Sequence, residues 1–349
     1  MFPLEFPFRH LKRLPPRTWV LDPFCGRGTT NLAARLLGHP SVGIDANPVA
    51  AAIASAKVST SSPGSVVSAC RKILSDPPTP RVPKGQFWDL CYHPDTLREI
   101  CVLREALRSD CRSSRRKLLR AILLGVLHGP VRKGVPAYLS NQMPRTYATK
   151  PASAVRYWQK HDLEPRRISV LELVDRRAKA LLSERLPGPA GEILRRDSRR
   201  NLPGAYQGRF ARVVTSPPYL GMNQYRRDQW LRDWFLGGPD APRTDSKSQI
   251  RTEDPERFVS DLARVWNSVA LACIPGARLT IRFGSLPSRE VDPWRILQAS
   301  IDSSTASWRV VTVTPAGVPP NGRRQAGQFG RKAGAPINEI DAHAILGNN

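Results

Sequence analysis

The chain has 349 residues and a formal net charge of +25, with 54 Lys and Arg residues against 29 Asp and Glu residues. This length is sufficient for a large hydrophobic core in one elaborated domain or in two. The excess of basic residues indicates a polyanionic partner such as a nucleic acid. An arginine-biased genome would explain the preference for Arg over Lys, but it would not explain the shortage of acids.

The six cysteines and six histidines show no metal-site spacing, and no Cys-x-x-Cys pair occurs. Neither a metal site nor a disulfide framework is therefore predicted. The beginning of the sequence lacks a basic segment followed by a long apolar one, and no apolar run reaches the length of a membrane span. The sequence predicts a cytoplasmic protein with reduced thiols and no membrane partner.

A glycine-containing turn follows the first predicted strand, residues 18–21. The turn reads DPFCGRGTT from Asp22 to Thr30 and leads into a helical pattern over residues 31–37. Glycines let the backbone close tightly on a ligand, and the free N–H groups at the start of a helix bind a carboxylate or phosphate. A second predicted strand, residues 42–44, ends at Asp45, where an acid binds ribose hydroxyls in nucleoside-cofactor sites. Together these elements predict half of a Rossmann-like fold.

The middle of the chain is predicted to be an insertion. An Ala-rich helix over residues 49–58 is followed by a Ser- and Pro-rich stretch, residues 60–83, which predicts a linker. Apolar residues at helical spacing between residues 87 and 186 then predict a helical block. The interrupted fold resumes with a third predicted strand that begins at Glu192 and ends in the acid Asp197.

The tetrapeptide Ser216-Pro217-Pro218-Tyr219, which we call the tyrosine corner, follows an apolar predicted strand over residues 212–215. The two prolines fix φ near −65° and carry no N–H, so the carbonyls of Ser216 and Pro217 point into a cleft without competing backbone donors. Tyr219 supplies a stacking face for a flat base. The tetrapeptide by itself also fits an ordinary turn that ends a strand, and the glycine turn upstream favours the functional interpretation.

The last part of the chain predicts two helices and three strands. The helix after the tyrosine corner contains Trp230, Leu231, Trp234, Phe235 and Leu236, which we interpret as core packing. A helix over residues 258–273, a strand over residues 277–283 and a closing pair of strands, residues 308–313 and 340–345, follow.

The two motifs resemble those of the amino-methylating DNA methyltransferases, which modify N4 of cytosine or N6 of adenine. DPFCGRGTT looks like their motif for binding S-adenosyl-L-methionine (AdoMet), and TSPPY looks like their catalytic motif. In that family the serine form of the catalytic motif goes mostly with N4-cytosine enzymes, so Ser216 favours cytosine. The cofactor motif precedes the catalytic one here, which departs from the commonest order in enzymes with a DPF motif and leaves the subclass open.

The resemblance implies an α/β, Rossmann-like class I AdoMet methyltransferase fold, with a seven-stranded, mostly parallel sheet whose last strand is antiparallel. It divides the chain into a first half of the catalytic domain, residues 1–68, a mainly helical insertion suited to target recognition, residues 69–188, and a second half with the tyrosine corner, residues 189–349. It implies AdoMet as the cofactor. The cofactor-binding residues would be Asp22, Phe24, Cys25, Gly26, Gly28, Thr29, Thr30, Asp45, Ala46, Asn47, Asp197 and Ser198, and the catalytic residues Ser216, Pro217, Pro218 and Tyr219.

The predicted nucleic-acid contacts lie in three segments. They are Arg226 and Arg227 after the tyrosine corner, Arg323 and Arg324 before the last strand, and Asn141 and Arg145 in the segment of residues 138–147. Loops at the carboxyl ends of strands lie beside the site in an open α/β sheet, and amide and guanidinium groups suit base-edge contacts. Each arginine pair also fits a solvated surface, and residues 138–147 also fit a structured loop.

The function implied is site-specific transfer of a methyl group from AdoMet to the exocyclic N4 amine of a cytosine flipped out of duplex DNA. A cognate restriction endonuclease would be a further partner in a restriction-modification system. The alternatives are an N6-adenine DNA or RNA base methyltransferase, including tRNA guanosine-N2 enzymes, and a catalytically silent nucleic-acid-binding protein on the same fold.

Overall fold

The computed structural model describes residues 2–77, 79–130, 136–144, 150–221, 229–242, 250, 254–285, 291–316 and 339–347. Predictions for Arg145, Arg226, Arg227, Arg323 and Arg324 lie outside these residues. The chain divides into two compact units. The first unit consists of Met1–Val58, Leu186–Asn223 and Ser246–Asn349, and the second of Ser59–Arg185 and Gln224–Asp245. The sequence places the corresponding boundaries after residues 68 and 188 and assigns residues 224–245 to the catalytic domain.

The described residues include seven strands and twelve α-helices. The strands are β1 (Val20–Asp22), β2 (Ser41–Ile44), β3 (Glu192–Leu194), β4 (Phe210–Thr215), β5 (Cys273–Gly284), β6 (Trp308–Pro315) and β7 (Glu339–Leu346). The helices are α1 (Glu5–Leu11), α2 (Thr29–Leu36), α3 (Pro48–Lys57), α4 (Pro63–Ser75), α5 (Gln86–Cys91), α6 (Pro94–Ser109), α7 (Ser114–Val126), α8 (Pro151–Lys160), α9 (Val170–Leu181), α10 (Trp230–Phe235), α11 (Pro255–Ala272) and α12 (Pro293–Asp302).

The first unit contains the whole sheet, whose strand order is β3-β2-β1-β4-β5-β7-β6. The strands from β3 to β5 are parallel, and β7 lies antiparallel between β5 and β6. Every residue of β1 and β2 is buried, as expected for central parallel strands that are covered on both faces. The predicted fold class, a mostly parallel seven-stranded sheet with an antiparallel last strand, is confirmed.

The two faces of the sheet carry different side chains. Along β5, Leu279, Ile281 and Phe283 belong to the main core, which α11 and α12 cover. Side chains alternate between faces along a strand, so the residues between these three point to the other face. On that other face Val20 and Val214 pack in a smaller core with α1 and α2.

Helix α4 lies where the sequence predicts a linker, so that prediction is wrong. The Ser62 hydroxyl accepts a hydrogen bond from the Ser65 N–H at 3.2 Å, and Pro63 occupies the first helical position. Serine before a helix and proline at its first position are helix start signals, although both residue types are also common in loops. The apolar side chains of Val66, Cys70 and Ile73 are buried on one face of the helix.

The second unit is helical and has an aromatic core. Trp88 of α5 lies 4.5 Å from Trp234 of α10 between ring centroids, and Phe87 lies 5.2 Å from Trp230. Of the five side chains predicted to pack in a core after the tyrosine corner, four are buried and Leu236 is half-buried, so the prediction is confirmed for four of them. In the part of the chain that the structure describes, none of the helices has the length and apolarity needed to cross a bilayer.

Candidate active site

The glycine turn and the tyrosine corner begin side by side at one edge of the sheet. Strands β1 and β4 are parallel neighbours, with Val20 opposite Arg212, and their carboxyl ends therefore lie at the same edge. The Thr215 hydroxyl at the end of β4 donates a hydrogen bond of 2.6 Å to Oδ1 of Asp22 at the end of β1. The Thr30 hydroxyl of α2 donates a hydrogen bond of 3.2 Å to the Val214 carbonyl of β4, which ties the helix after the glycine turn to the same strand.

This edge is the switch point of the sheet. The chain winds outward in one direction from β1 to β2 and β3, and in the other direction from β4 to β5. Where a doubly wound sheet changes direction, the loops on either side diverge and leave a crevice at the carboxyl ends of the strands. Both sequence motifs therefore border the crevice in which such folds bind ligands.

Backbone hydrogen bonds shape the glycine turn. The Cys25 N–H donates to the Ile44 carbonyl at 3.0 Å, and the Gly28 N–H donates to the Cys25 carbonyl at 2.7 Å. Gly28 has φ +76°, and a Cβ there would lie 2.9 Å from the Cβ of Ala54. Both the left-handed backbone and the close approach of α3 therefore require glycine. Burial raises the pKa of the Cys25 thiol well above its usual value, so this side chain is an uncharged packing group.

The acid at the end of the second strand holds the turn. Asp45 Oδ2 accepts a hydrogen bond of 2.9 Å from the Gly26 N–H, and Oδ1 accepts one of 2.7 Å from the Asn47 N–H. Asn47 in turn caps α3, because its side-chain oxygen accepts from the Val49 and Ala50 N–H groups. A cap is thus the interaction that the structure shows for Asn47. Next to Asp45, Ala46 is half-buried.

Two carboxyl groups of the site have raised pKa values. Burial raises the pKa of Asp22 from 3.8 to about 6, and hydrogen bonds from the Thr215 hydroxyl and the Phe24 N–H oppose this rise. Burial likewise raises the pKa of Asp45 from 3.8 to about 6, against hydrogen bonds from the Asn47 and Gly26 N–H groups. Oδ2 of Asp22 is buried and has no hydrogen-bond partner among the described residues. An unpaired buried carboxylate oxygen is the kind of acceptor that a cationic or N–H group of a ligand satisfies.

The third strand contributes one of its two predicted residues to the glycine turn. The buried Ser198 hydroxyl donates a hydrogen bond of 2.5 Å to the Pro23 carbonyl. Asp197 instead accepts hydrogen bonds from Arg199, which also binds both oxygens of Asp261 at 2.8 Å. Burial alone would raise the pKa of Asp197, but the Arg199 guanidinium lowers it overall. Its carboxylate is therefore engaged by an ion pair within the first unit.

The tyrosine corner packs against the start of β7. The Tyr219 hydroxyl donates a hydrogen bond of 2.9 Å to Oε1 of Glu339, and the ring lies edge-on to Phe283 at 5.8 Å. Burial, then the charge of Glu339, raises the pKa of the Tyr219 phenol, which a hydrogen bond with the Ser216 side chain opposes. Gly284 makes the packing possible, since a Cβ there would lie 2.9 Å from Cγ of Glu339. Pro217 is buried and Pro218 half-buried.

The side chain of Tyr219, which the sequence predicts to supply a stacking face for a base, is only 8% exposed. Its ring belongs to the main core, and its hydroxyl is bound by Glu339. A base could stack on the ring face only after the side chain moved out of this packing. Phe24, which packs against the same core, is half-buried and lies edge-on to Trp266 at 6.4 Å.

Asn141 has a structural function in the helical unit. Its amide nitrogen donates hydrogen bonds to the Leu90 carbonyl at 3.2 Å and the Leu163 carbonyl at 2.9 Å, while its oxygen accepts from the Gln142 N–H. These bonds occupy both amide hydrogens. The side chain as it stands therefore ties chain segments together and has no donor left for a base edge.

Three residues of the site were missed in the sequence. Thr215 carries a signal, since it immediately precedes the tyrosine corner and ends an apolar strand next to the strand of Asp22. Glu339 and Gly284 carry none, because their contact with Tyr219 depends on the antiparallel pairing of β5 with β7, in which they lie opposite each other.

The fold and the crevice define the class of this structure, a Rossmann-like α/β sheet of the class I methyltransferase type. Residues 1–56, which contain the glycine turn and Asp45, match the family model N6_N4_Mtase, described as DNA methylase. A comparison with curated protein sequences gives no significant match.

Solved structures with a similar chain path include three methyltransferases. TrmN from Thermus thermophilus is 11% identical with a TM-score of 0.36, over 98% of this chain and 48% of that one, so this chain spans about half of its length. A SAM-dependent methyltransferase from Methanosarcina mazei is 10% identical with a TM-score of 0.38, over 100% and 99%. The rRNA methyltransferase aviRa from Streptomyces viridochromogenes is 13% identical with a TM-score of 0.33, over 99% and 85%.

Proposed function

We propose that this protein is an AdoMet-dependent DNA methyltransferase that modifies N4 of cytosine. The observation that carries this proposal is the hydrogen bond of 2.6 Å between Asp22 and Thr215, which joins the glycine turn and the tyrosine corner at one switch-point crevice. The match of residues 1–56 to a DNA methylase family model supports methyl transfer and a DNA substrate.

The residues around the glycine turn fit AdoMet. Asp22 offers a buried carboxylate oxygen without a partner among the described residues, suited to a cationic or N–H group of the cofactor. Asp45 lies at the end of β2, where an acid binds ribose hydroxyls. A Cβ placed on Gly26 would meet no atom within 4 Å, so there is room beside the turn for a ligand. AdoMet, when bound, supplies a methyl group on a positively charged sulfur.

The tyrosine corner would position the amine that accepts the methyl group. The exocyclic amine of cytosine is a poor nucleophile because its lone pair is delocalised into the ring. Hydrogen bonds from this amine to the Ser216 side chain and the Pro217 carbonyl would favour a more tetrahedral nitrogen with a localised lone pair. This contribution is positioning and electrostatic stabilisation of the transition state. It needs no covalent intermediate with the protein.

The target base must leave the duplex to reach the corner. Flipping a nucleotide costs a few kcal/mol, and stacking on an aromatic side chain returns about 1 to 3 kcal/mol per base. Tyr219 would provide that stacking once its hydroxyl leaves Glu339 and its ring turns out of the core. The bond between Tyr219 and Glu339 then belongs to the DNA-free protein.

Transfer of labelled methyl groups tests the proposal. The protein is incubated with tritiated AdoMet and duplex DNA, and the product is digested to nucleosides; N4-methylcytosine is the expected label. Ser216→Ala should lower kcat on the order of 100-fold while AdoMet affinity stays within about twofold. Ser303→Ala, an exposed serine of the same unit, is the matched control. Methyladenine, or label in RNA alone, would replace the cytosine assignment by one of the other methyltransferase functions.

The buried state of Tyr219 favours a second candidate, a catalytically silent nucleic-acid-binding protein. A corner whose tyrosine stays in the core would grip DNA without accepting a base. Salt-dependent DNA binding together with no methyl transfer to DNA or RNA would support this candidate. Tritium incorporation into any nucleic acid would exclude it.

A further inference from the structure

A group of basic side chains lies on the sheet face that α1 partly covers. We call it the back-face cluster, and it consists of Arg212 on β4, Arg278 on β5, His343 on β7, and Arg9 and His10 on α1. All five belong to the first unit. Nothing in the proposed methyl transfer uses them, and among the described residues Asp341, which lies 3.6 Å from Arg9, is the acid that ion-pairs with a member of the cluster.

The register of the sheet places these residues on one face. On β5, Arg278 and Thr280 alternate with the core residue Leu279, so they point away from α11 and α12. Arg212 lies directly opposite Arg278 in the parallel ladder, and His343 lies opposite Thr280 in the antiparallel one. The Thr280 hydroxyl and Nδ1 of His343 are 3.2 Å apart, which confirms that they share this side.

The two arginines face each other without a counterion. Like charges directly opposite on neighbouring strands destabilise a sheet. Burial, then the charge of Arg278, lowers the pKa of Arg212. Among the described residues no carboxylate forms an ion pair with either side chain, and Nε of Arg212 is buried without a hydrogen-bond partner.

The acid on this face, Asp341, already forms an ion pair with Arg282. Asp341 lies opposite Arg282 across β5 and β7 and binds it through both oxygens, at 2.8 and 2.7 Å. Arg9 lies 3.6 Å from the same carboxylate. One carboxylate thus serves two guanidinium groups, and its ion pairs are with Arg9 and Arg282, not with Arg212 or Arg278.

The two histidines complete the cluster. Their rings are 5.3 Å apart between centroids, and Nε2 of His10 is buried without a hydrogen-bond partner among the described residues. Burial, then His343, Arg9 and Arg212, lowers the pKa of His10 to about 4, against the opposing charge of Asp341. Burial and the charges of Arg212 and Arg9 also lower the pKa of His343, again against Asp341. Both rings are therefore neutral near pH 7, chiefly because burial disfavours their charged forms.

We infer that the back-face cluster binds backbone phosphates of a nucleic acid, as a second contact surface apart from the crevice at the switch point. A phosphate between Arg212 and Arg278 would supply the missing negative charge, and it would accept charge-assisted hydrogen bonds from their guanidinium groups. The inference rests on the proposed function for its nucleic-acid partner, but the contact itself involves no methyl transfer.

The extent of the positive surface favours a polyanion over a single ion. Arg309 of β6 lies opposite Ile345, which lies opposite Arg278, so Arg309 continues the row two strands away on the same face. Two strand spacings are about 10 Å, more than one oxyanion bridges. Lys12 and Arg13, both exposed, follow α1 directly. A chain of phosphates matches such a surface better than one inorganic phosphate does.

Salt-dependent DNA binding tests the inference. The affinity of the full-length protein for a fluorescent duplex is measured by anisotropy at several salt concentrations, without AdoMet, for the wild type and for the double variant Arg212→Gln, Arg278→Gln. The slope of log K against log salt should fall by about 1 in the double variant. Without DNA, its thermal midpoint should not fall, because the repulsion between the two arginines is removed. The matched control is Arg264→Gln, Arg295→Gln, which removes two exposed arginines from α11 and α12.

Each result has a defined meaning. An equal salt slope in the double variant and the control would overturn the inference. The inference would also be overturned if inorganic phosphate stabilised the wild type but not the double variant while both bound DNA equally. The same holds if the double variant lost binding to anionic lipid vesicles and kept its DNA binding. Methyl transfer at saturating DNA separates the two proposals. An active double variant with unchanged DNA binding disproves the contact surface only, whereas a reduced slope in a protein without methyl transfer disproves the enzyme only.

Discussion

At the scale of single residues, the interaction between Tyr219 and Glu339 decides whether the tyrosine corner can receive a base. A phenol bound to a carboxylate forms a charge-assisted hydrogen bond, which is stronger than a neutral one. The ring of Tyr219 is therefore held in the core by a hydrogen bond to Glu339, a residue 120 positions later in the sequence.

Tyr219→Phe tests whether the hydrogen bond to Glu339 keeps the ring in the core. The variant keeps the ring and loses only the bond to Glu339, so we expect kcat to be retained and the KM for DNA to fall by a few-fold, in line with about 1 kcal/mol for the lost hydrogen bond. Tyr219→Ala should be inactive, and its unfolding free energy should drop by about 3 to 5 kcal/mol because it leaves a core cavity. Steady-state kinetics and thermal unfolding measure both effects. An inactive Tyr219→Phe would show instead that the hydroxyl itself takes part in catalysis.

The raised pKa values of Asp22 and Asp45 predict how cofactor binding depends on pH. Raising the pKa of Asp22 from 3.8 to about 6 corresponds to about 3 kcal/mol against its ionised form in the unliganded protein. Stability from these two raised acids is present below pH 3.8 and is lost as the pH rises through about 6. A cationic ligand favours the ionised carboxylates, so AdoMet affinity should be highest above pH 7 and should fall below pH 6.

Calorimetric titration with AdoMet between pH 5 and 8 measures this dependence. Asp22→Asn should flatten the profile and weaken binding at pH 7.5, whereas Asp302→Asn, an exposed acid of α12, should reproduce the wild-type curve. A wild-type affinity that stays constant over this range would contradict the assignment of Asp22 to the cofactor.

The residues of the site were only partly predictable from the sequence. Asp22 and Asp45 could be found because each follows a short apolar strand at a fixed distance from the glycines. The ion pair of Asp197 could not be found, since it depends on Arg199 reaching Asp261 on a distant helix. The burial of Tyr219 was equally hidden, because Phe283 and Glu339 meet its ring only in the folded sheet.

At the scale of elements, the turn between β1 and α2 depends on two glycines with different requirements. Gly26 has φ +52° and open space at the position of a Cβ, whereas Gly28 has φ +76° and meets Ala54 at 2.9 Å. The first position is limited by backbone conformation alone, and the second by conformation and packing against α3.

We therefore expect alanine substitutions at the two glycines to lower the free energy of unfolding by different amounts. Gly26→Ala should cost about 1 to 2 kcal/mol of unfolding free energy, the usual penalty for a left-handed non-glycine residue. Gly28→Ala should cost more, and the second substitution Ala54→Gly should recover part of the difference because it removes the clashing methyl group. Denaturant unfolding measures all three variants. Equal losses at the two glycines would mean that α3 does not constrain the turn.

Elements with one clear periodicity were predicted well, and those with ambiguous ends were not. Strands β1 and β2 were found because each is a short buried run next to turn residues, and strand β5 and helix α11 because buried apolar residues recur along them. Helix α4 was missed because Ser62 and Pro63 favour a loop and a helix start equally, and only the burial of Val66 and Ile73 decides between them.

At the scale of the whole molecule, the net charge of +25 sets how the protein responds to salt. Self-repulsion destabilises a compact, highly charged chain, while exposed ion pairs contribute only about 0 to 1 kcal/mol each. Added salt screens both the repulsion and the ion pairs, and at this net charge we expect the repulsion to outweigh the ion pairs.

Salt should therefore stabilise the DNA-free protein. We expect the thermal midpoint to rise by several degrees, or about 1 to 2 kcal/mol, between about 0.05 and 0.5 M sodium chloride. Differential scanning calorimetry measures the change, and a short duplex at low salt should reproduce the stabilisation. A midpoint that falls with salt would show that ion pairs such as that of Arg199 with Asp261 dominate instead.

The insertion of β7 between β5 and β6 has a consequence for biosynthesis. The strand that completes the sheet is formed by Glu339–Leu346, and its neighbours β5 and β6 precede it in the chain. Until the ribosome has released these residues, β5 presents an open edge to other nascent chains. Contacts between β1 and β4, far apart along the polypeptide, also make folding slow. Newly made molecules should consequently expose this edge until Glu339–Leu346 have left the ribosome.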